Sequence, residues 1–188
     1  MALTRRHGIS TNTYSRFLID SGAVYFNYTT SGTTNLLGAT RGGNTFTIDS
    51  EYRDMEADGA RGPVKGGRRI TNVTVTLVAN MLEIDNTKVI GYGLTGSDTT
   101  DSGAYYTTTR SLEISAGDYL TDIAIVGEVS GSESDPAVFI CKNPISTGGF
   151  EVSMSDKDET VIPITFTGHF TVAAMDTEPW EIRWPDFS

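Results

Sequence analysis

Alternation of apolar and polar residues with a period of two runs through most of this 188-residue chain. In NVTVTLVAN, residues 72–80, four apolar residues share one side of an extended strand and the threonines share the other. A period of two is the spacing of a strand with one buried face, and it differs from the 3.6-residue period of a helix. The chain is therefore predicted to be mainly β.

The same alternation predicts further strands, separated by Gly, Ser, Asp and Asn clusters that are typical of turns. In IPITFTGHF, residues 162–170, Phe166 and Phe170 are both expected on the apolar side. The only helix candidate is DNTKVIGYGL, residues 85–94, where Asp85 can cap the first turn. The other strand candidates are AVYFNY (23–28), NTFTIDSEYRDMEAD (44–58), RSLEIS (110–115), YLTDIAIVGEV (119–129), AVFICKN (137–143) and FEVSMS (150–155).

The strand candidate at residues 44–58 changes phase partway along. Phe46 and Tyr52 have one parity, whereas Met55 and Ala57 have the other, so a regular strand would turn its apolar side over. Two explanations are open: a bulge near Tyr52 resets the phase, or the second half packs against a different surface. The second explanation implies a strand that projects beyond its own core into a neighbour.

Length and composition indicate one globular unit. With 38% hydrophobic residues, the chain can bury one sizeable core. We expect a single domain over residues 1–188, with residues 1–20 as an N-terminal arm and residues 175–188 as a C-terminal arm. The longest apolar run, AVFIC at residues 137–141, is far shorter than a membrane span, so no membrane insertion is expected.

Charge is distributed unevenly along the chain. Residues 1–88 carry ten Lys and Arg against eight Asp and Glu, while residues 89–188 carry four against sixteen. The acidic excess argues against a protein that holds nucleic acid by its phosphates. The split is compatible with self-association, in which the basic part of one copy meets the acidic part of the next. An ordinary acidic surface without such a role is the alternative.

Motifs of catalytic or metal chemistry are incomplete in this sequence. DMEADGARGPVK, residues 54–65, opens like an EF-hand loop, but Lys65 stands where the last carboxylate ligand is needed. No pair among His7, His169 and the single Cys141 has metal-ligand spacing. His169 is expected on the polar side of a strand beside threonines, and Cys141, which alternates with Phe139, is expected in the core and not as a nucleophile. No enzyme activity, metal or cofactor is predicted.

Residues 38–70 read GATRGGNTFTIDSEYRDMEADGARGPVKGGRRI, a run of Gly, Arg and Pro around two strands. This run resembles the signature of the major tail tube proteins of long, non-contractile-tailed bacteriophages. The preceding DSGAVYFNY and the following TVTLVANMLEID extend the resemblance on both sides. Residues 95–188 match that family only in being acidic and rich in strands.

The resemblance implies a β-sandwich flanked by one short helix, with a long loop or arm, whose inward strands join a ring-wide β-barrel in a hexamer. It implies a structural virion protein whose stacked hexameric rings form the tail tube, a negatively lined conduit that DNA passes through without specific binding. The implied partners are further copies of the chain and the tape measure, tail terminator and distal tail proteins. The implied location is the virion tail, after assembly in the host cytoplasm.

Under this interpretation the basic residues of the glycine-rich run lie at contacts between copies or rings. They are Arg41, Arg61, Lys65, Arg68 and Arg69. The glycines expected to supply tight turns are Gly42, Gly43, Gly59 and Gly62. The polar side of residues 119–129, in the acidic half, is expected to line the channel through Asp122 and Glu128.

A receptor-binding or decoration module of a virion is the alternative function. Tyr92, Tyr105 and Tyr106 could bind sugars through ring stacking on a β-sandwich. A module of this kind would form discrete monomers or trimers. A cell-wall enzyme would need a pair of carboxylates that the sequence does not identify.

Overall fold

The computed structural model describes residues 8–56 and 58–187 as two four-stranded antiparallel sheets with a separate two-stranded ribbon. The strands are β1 (Leu18–Phe26), β2 (Thr45–Asp54), β3 (Arg68–Met81), β4 (Ser97–Asp101), β5 (Tyr106–Arg110), β6 (Asp122–Val129), β7 (Ser132–Lys142), β8 (Ile145–Ser146), β9 (Ile162–Thr167) and β10 (Trp180–Arg183). The first sheet has the order β1-β6-β7-β10, the second has the order β2-β3-β9-β8, and β4 and β5 form the ribbon. The prediction of a mainly β fold is confirmed.

Helical structure in the described residues is short. Its members are α1 (Tyr28–Ser31), a π-helical turn (Asn86–Ile90) followed by α2 (Gly91–Gly93), and 3-10 turns at Tyr14–Arg16, Gly32–Thr34, Ala116–Asp118 and Val172–Ala174. The helix predicted at residues 85–94 is thus present as the π turn and α2. The Asp85 carboxylate accepts a hydrogen bond from the Lys88 backbone N–H at 2.9 Å, as a capping residue does. None of these helices is long and apolar enough to cross a bilayer.

One core fills the space between the two sheets. In the second sheet, Leu77 of β3 lies directly opposite Phe166 of β9, and both side chains are fully buried. From the first sheet, the fully buried Val24 and Ile123 belong to the same packed cluster. Burying a side chain of this size contributes roughly 1.5–3 kcal/mol. The alternating apolar positions of both sheets therefore hold the sandwich together.

Two predicted strands are absent from the described structure. Residues 150–155 form no strand, and Met154 is 80% exposed. Residues 111–115 follow the end of β5 and also lie outside any strand, with Leu112 fully exposed. These predictions are wrong because a strand needs a neighbouring strand, and neither segment pairs with one within the described residues. The Ser111 backbone N–H donates to the Gly96 carbonyl at 2.8 Å, but this single bond does not continue as a strand pair.

The chain ends differ from the predicted arms. β10 lies inside the predicted C-terminal arm and pairs with β7, with Trp180 opposite Cys141. Trp180 also packs against the main core, which explains why this segment stays on the sandwich. At the other end, Leu18 already begins β1, so the predicted N-terminal arm stops earlier than residue 20. Residues 1–7 of that arm lie outside the described residues.

β9 ends at Thr167, before the last aromatic residue of the predicted strand. A Cβ atom on Gly168 would lie 2.8 Å from the Cys141 sulfur, so only glycine lets the chain approach the first sheet this closely. The direction of the chain changes at this contact. Phe170 consequently leaves the core face and is 36% exposed, which corrects the prediction that it packs alongside Phe166.

Candidate functional site

The β2–β3 hairpin continues beyond the core of the sandwich. Val73 is the last buried residue of β3 towards the tip, and residues 68–72 are all exposed. The strand register shifts between Glu51 and Tyr52, which marks a bulge. The extra residue is Thr71 on β3, and β2 keeps its alternation through Arg53, so the projection of the hairpin and not the bulge explains the phase change. We call residues 52–56 and 58–70 the distal hairpin.

The distal hairpin exposes apolar side chains. Tyr52 and Ile70 lie directly opposite each other, and Met55 and Val64 lie nearer the tip. About half of the surface of each of these side chains is exposed. A two-stranded ribbon with both faces in water is marginally stable on its own. This part of the hairpin is therefore a candidate contact surface for another molecule.

One face of the distal hairpin carries an ion pair that is complete within the chain. The Arg68 guanidinium donates to the Asp54 carboxylate from Nε at 2.8 Å and from Nη2 at 3.0 Å. It also lies 5.7 Å from the centre of the Tyr52 ring. Hydrogen bonding between the two partners lowers the pKa of Asp54 and raises the pKa of Arg68. Arg68, predicted as an interface cation, is thus already neutralised inside the subunit.

The other face of the distal hairpin carries two arginines side by side. Arg53 of β2 lies directly opposite Arg69 of β3, and both are exposed. Neither forms an ion pair within the part of the chain that the structure describes. Like charges directly opposite each other destabilise a sheet. Arg69 is among the residues predicted from the sequence, whereas Arg53 is not, because its pairing depends on the strand register.

The remaining predicted interface cations separate into two groups. Arg41 donates from Nη1 to Asp158 at 2.9 Å and to Glu159 at 2.7 Å, away from the distal hairpin. Arg61 and Lys65 lie in the hairpin tip, exposed and without an ion pair to any described residue. Arg41 therefore stabilises a contact within the subunit, while Arg61 and Lys65 remain available to another molecule.

Three of the four predicted turn glycines have a left-handed backbone. The φ angles are +86° at Gly42, +84° at Gly43 and +89° at Gly59. At Gly59 an added Cβ would meet nothing within 4 Å, so backbone strain alone favours glycine there. Gly62 has neither a positive φ nor a close neighbour, and the turn therefore does not require glycine at this position.

The outward face of the second sheet is rich in threonine, and we call it the threonine face. Its residues are Thr45, Thr47, Asp49 and Glu51 on β2, Asn72, Thr74, Thr76, Val78 and Asn80 on β3, and Pro163, Thr165 and Thr167 on β9. These residues include no Lys or Arg, and the two charged ones, Asp49 and Glu51, are acidic and exposed. β2 is the first strand of its sheet, so no described strand pairs with its outer edge.

The predicted channel-lining residues do not lie on the threonine face. Asp122 and Glu128 belong to β6, in the first sheet. Asp122 is only 1% exposed, and its carboxylate caps the first turn of α1 by accepting hydrogen bonds from the backbone N–H and the hydroxyl of Thr29. A buried carboxylate cannot face a channel, so the prediction is wrong for Asp122. Glu128 is exposed, but on the opposite side of the sandwich from the threonine face.

Asp122→Asn is expected to destabilise the folded subunit by about 1–3 kcal/mol, because an amide replaces a buried carboxylate that accepts hydrogen bonds from the N–H and the hydroxyl of Thr29. The midpoint of urea unfolding measures this change. Glu128→Gln removes the same charge from an exposed position of the same strand and should change stability by less than about 0.5 kcal/mol. Equal midpoints for the two variants would contradict the capping role.

The described His and Cys residues do not form a catalytic group. The His169 ring packs edge-on against Tyr119, with ring centres 5.1 Å apart, and its Nδ1 is buried without a hydrogen-bond partner. Cys141 is fully buried, and this burial together with the Asp122 charge raises the pKa of its thiol to about 12. Over residues 8–56 and 58–187, no group of three or more His, Cys, Asp and Glu is placed to hold a metal ion. His7 lies outside the described residues.

Comparison with known proteins finds little similarity in sequence. No protein-family model matches the chain, and no curated protein is significantly similar to it. Among solved structures, the chain is similar to one from the tail of an empty GTA particle with C6 symmetry. The match covers 80% of this chain and 92% of that chain, at 9% sequence identity and a TM-score of 0.44. A likeness of this strength carries no functional conclusion for the present chain.

Proposed function

We propose that the chain is the structural subunit of a virion tail tube, in which hexameric rings stack into a conduit for DNA. The resemblance of residues 38–70 to major tail tube proteins supports this proposal. The observation that carries it is the arrangement of β2, an edge strand that continues into a projecting hairpin with exposed apolar and cationic side chains. A long exposed edge strand invites pairing with another chain, and self-assembly supplies such a partner.

In the proposed ring, the free edge of β2 pairs with the opposite edge of the second sheet in the next copy. That opposite edge is β8, a strand of two residues, Ile145–Ser146, beside β9. Pairing repeated around six copies would close the second sheets into one barrel and remove their free edges. The distal hairpin would then reach a neighbouring copy or ring.

The threonine face is the proposed lining of the channel. The other face of the second sheet packs against the first sheet and forms the core. If the second sheets of six copies join into a barrel, the first sheets would lie on the outside of that barrel and the threonine faces would line its inside. Hydroxyl groups stay hydrated, and the carboxylates of Asp49 and Glu51 repel phosphate. Because the face has no cation, DNA would gain nothing from counterion release there. This assignment replaces the lining by Asp122 and Glu128.

The proposed partners are further copies of the chain and the tape measure, tail terminator and distal tail proteins that the family resemblance implies. The proposed place of the protein is the virion tail, after assembly in the host cytoplasm. In this role the subunit performs no catalysis and needs no cofactor. DNA passes through the channel without a specific binding site.

Negative-stain electron microscopy of the purified protein tests the proposal. We expect rings or tubes with a central channel at high protein concentration. A variant in which an Asn-Gly turn joins Asp54 directly to Arg68 is the matched control, because these two residues already pair across the hairpin. It should fold, with an unchanged circular dichroism spectrum in the β region, but form far fewer tubes.

Two outcomes would contradict the proposal. If the unmodified protein stays a monomer or a discrete trimer at every concentration, it is not a tube subunit. If the shortened-hairpin variant forms normal tubes, the deleted part of the distal hairpin, residues 55–67, has no role in assembly. Size-exclusion chromatography with light scattering separates these species and gives their mass.

A receptor-binding or decoration module remains the second candidate, because Tyr105 and Tyr106 are strongly exposed at the turn of the β4–β5 ribbon. Tyr92 does not join them. Its ring packs 4.9 Å from that of Phe26, and burial raises its pKa. The sugar-stacking surface expected from three tyrosines is thus reduced to two. Discrete particles without a channel in the same electron micrographs would favour this function.

A further inference from the structure

Charged residues form two bands of opposite sign along one face of the β2–β3 hairpin. Asp49 and Glu51 form the acidic band, on the threonine face just before the bulge. Arg53 continues the same side of β2 beyond the bulge, and with Arg69 opposite it forms the basic band. At about 3.4 Å per residue, the centres of the two bands are roughly 10 Å apart along the strand.

Neither band is neutralised inside the subunit. All four side chains are exposed, and none forms an ion pair with any described residue. On the opposite face, Asp54 and Arg68 pair with each other through two hydrogen bonds. The basic band instead sets two like charges directly opposite each other, which destabilises the free hairpin. This arrangement favours binding to an acidic partner.

We propose that Arg53 and Arg69 of one copy form ion pairs with Asp49 and Glu51 of a second copy, and that this contact sets the stagger between neighbouring copies. The inference rests on the proposed function, since it requires that the chain self-assembles. The partner is a copy in an adjoining ring, because the edge of β2 already pairs with β8 of the next copy in the proposed ring and every copy carries the complementary band on the same face. Sliding one hairpin along the next by about 10 Å brings the two bands together.

The contact joins two different surfaces, so it is heterologous. Each copy that uses its basic band on one neighbour keeps its acidic band free for another, and the contact therefore repeats until it closes into a ring or continues as a filament. The exposed Met55 lies beside the basic band and would be covered by the same contact. The pairing would neutralise the two arginines together with Asp49 and Glu51, so no free cation on this face would hold DNA.

Two assembly-defective variants test the pairing when they are mixed. Arg53→Glu with Arg69→Glu makes both bands acidic and is called the all-acidic variant. Asp49→Lys with Glu51→Lys makes both bands basic and is called the all-basic variant. Each variant alone should raise the critical concentration for tube formation at least about tenfold, because like bands then meet. An equimolar mixture of the two should form tubes near the wild-type concentration, since each basic band then meets an acidic one.

A third variant controls for net charge. Arg61→Glu with Lys65→Glu changes the charge of the hairpin by the same amount as the first variant, but it keeps the basic band. In its mixture with the all-basic variant, labelled all-basic subunits should not enter tubes, because their basic residues at positions 49 and 51 would still meet a basic band. Circular dichroism and urea unfolding of every variant confirm that the subunits fold.

The outcomes separate this inference from the proposed function. Absence of tubes from the unmodified protein would overturn the function and the inference with it. Tubes from the unmodified protein together with normal tubes from either reversed variant alone would overturn only the inference. Entry of all-basic subunits into tubes with the tip variant as well as with the all-acidic variant would also overturn it, because general charge balance would then explain assembly.

Discussion

Tubes assembled from the Thr47→Lys/Thr76→Lys variant are expected to retain duplex DNA at low salt and to release it as salt is raised. Thr47 and Thr76 lie directly opposite each other on the threonine face, next to the pair formed by Asp49 and Thr74. Two lysines there place cations on the proposed lining of every copy. For six to ten phosphate contacts, affinity falls about 10³- to 10⁵-fold between roughly 50 and 200 mM salt. Co-sedimentation of labelled DNA with tubes measures this effect.

The matched control is Thr100→Lys/Thr107→Lys. These threonines also lie directly opposite each other in an antiparallel pair, but on the exposed β4–β5 ribbon. The control adds the same charge outside the proposed channel and should retain much less DNA. Unmodified tubes should not retain DNA at low salt, where screening is weakest. Equal retention by the two lysine variants, or strong retention by unmodified tubes, would contradict the lining assigned to the threonine face.

Phe166→Ala is expected to destabilise the subunit by about 3–5 kcal/mol, because it removes a fully buried ring and leaves a cavity between the sheets. Urea unfolding of the subunit, at concentrations too low for assembly, measures the change. The midpoint urea concentration should fall, while the dependence of the unfolding free energy on urea concentration stays the same. This result would show that the substitution changes stability alone.

Phe170→Ala is the control for that substitution. It removes the same ring three residues past the end of β9, where the side chain is 36% exposed. The expected loss is well below that of Phe166→Ala, because less apolar surface returns to water. Equal losses at the two positions would mean that the core does not lie where the fold places it.

Alternation in the sequence was sufficient to predict most strands of the two sheets. β3 and β9 follow it closely, with Leu77 and Phe166 on the buried side and Thr76 and Thr167 on the other. The phase change after Tyr52 also predicted where the hairpin leaves the core. The pattern failed at residues 150–155, because alternation describes a strand with one buried face but does not supply the neighbour that buries it.

The candidate site was only partly predictable. The sequence pointed to the glycine-rich run and to Arg61, Lys65 and Arg69, which remain without an ion pair in the described structure. It also placed Arg41 there, although that side chain binds Asp158 and Glu159. Arg41 is neutralised by carboxylates more than 100 residues further along the chain. The fold brings these carboxylates to Arg41, so the local sequence does not reveal them.

The sequence by itself determined the fold class, the two-sided character of each strand and the position of the projecting hairpin, because these depend on the local order of apolar and polar residues. Only the tertiary structure decided that Arg53 lies opposite Arg69, that Arg68 binds Asp54, and that Asp122 is buried beneath Thr29. The physical reason is that partners across a sheet are set by register and by the packing of distant segments. Both arise only when strands far apart in the chain bury their apolar faces together.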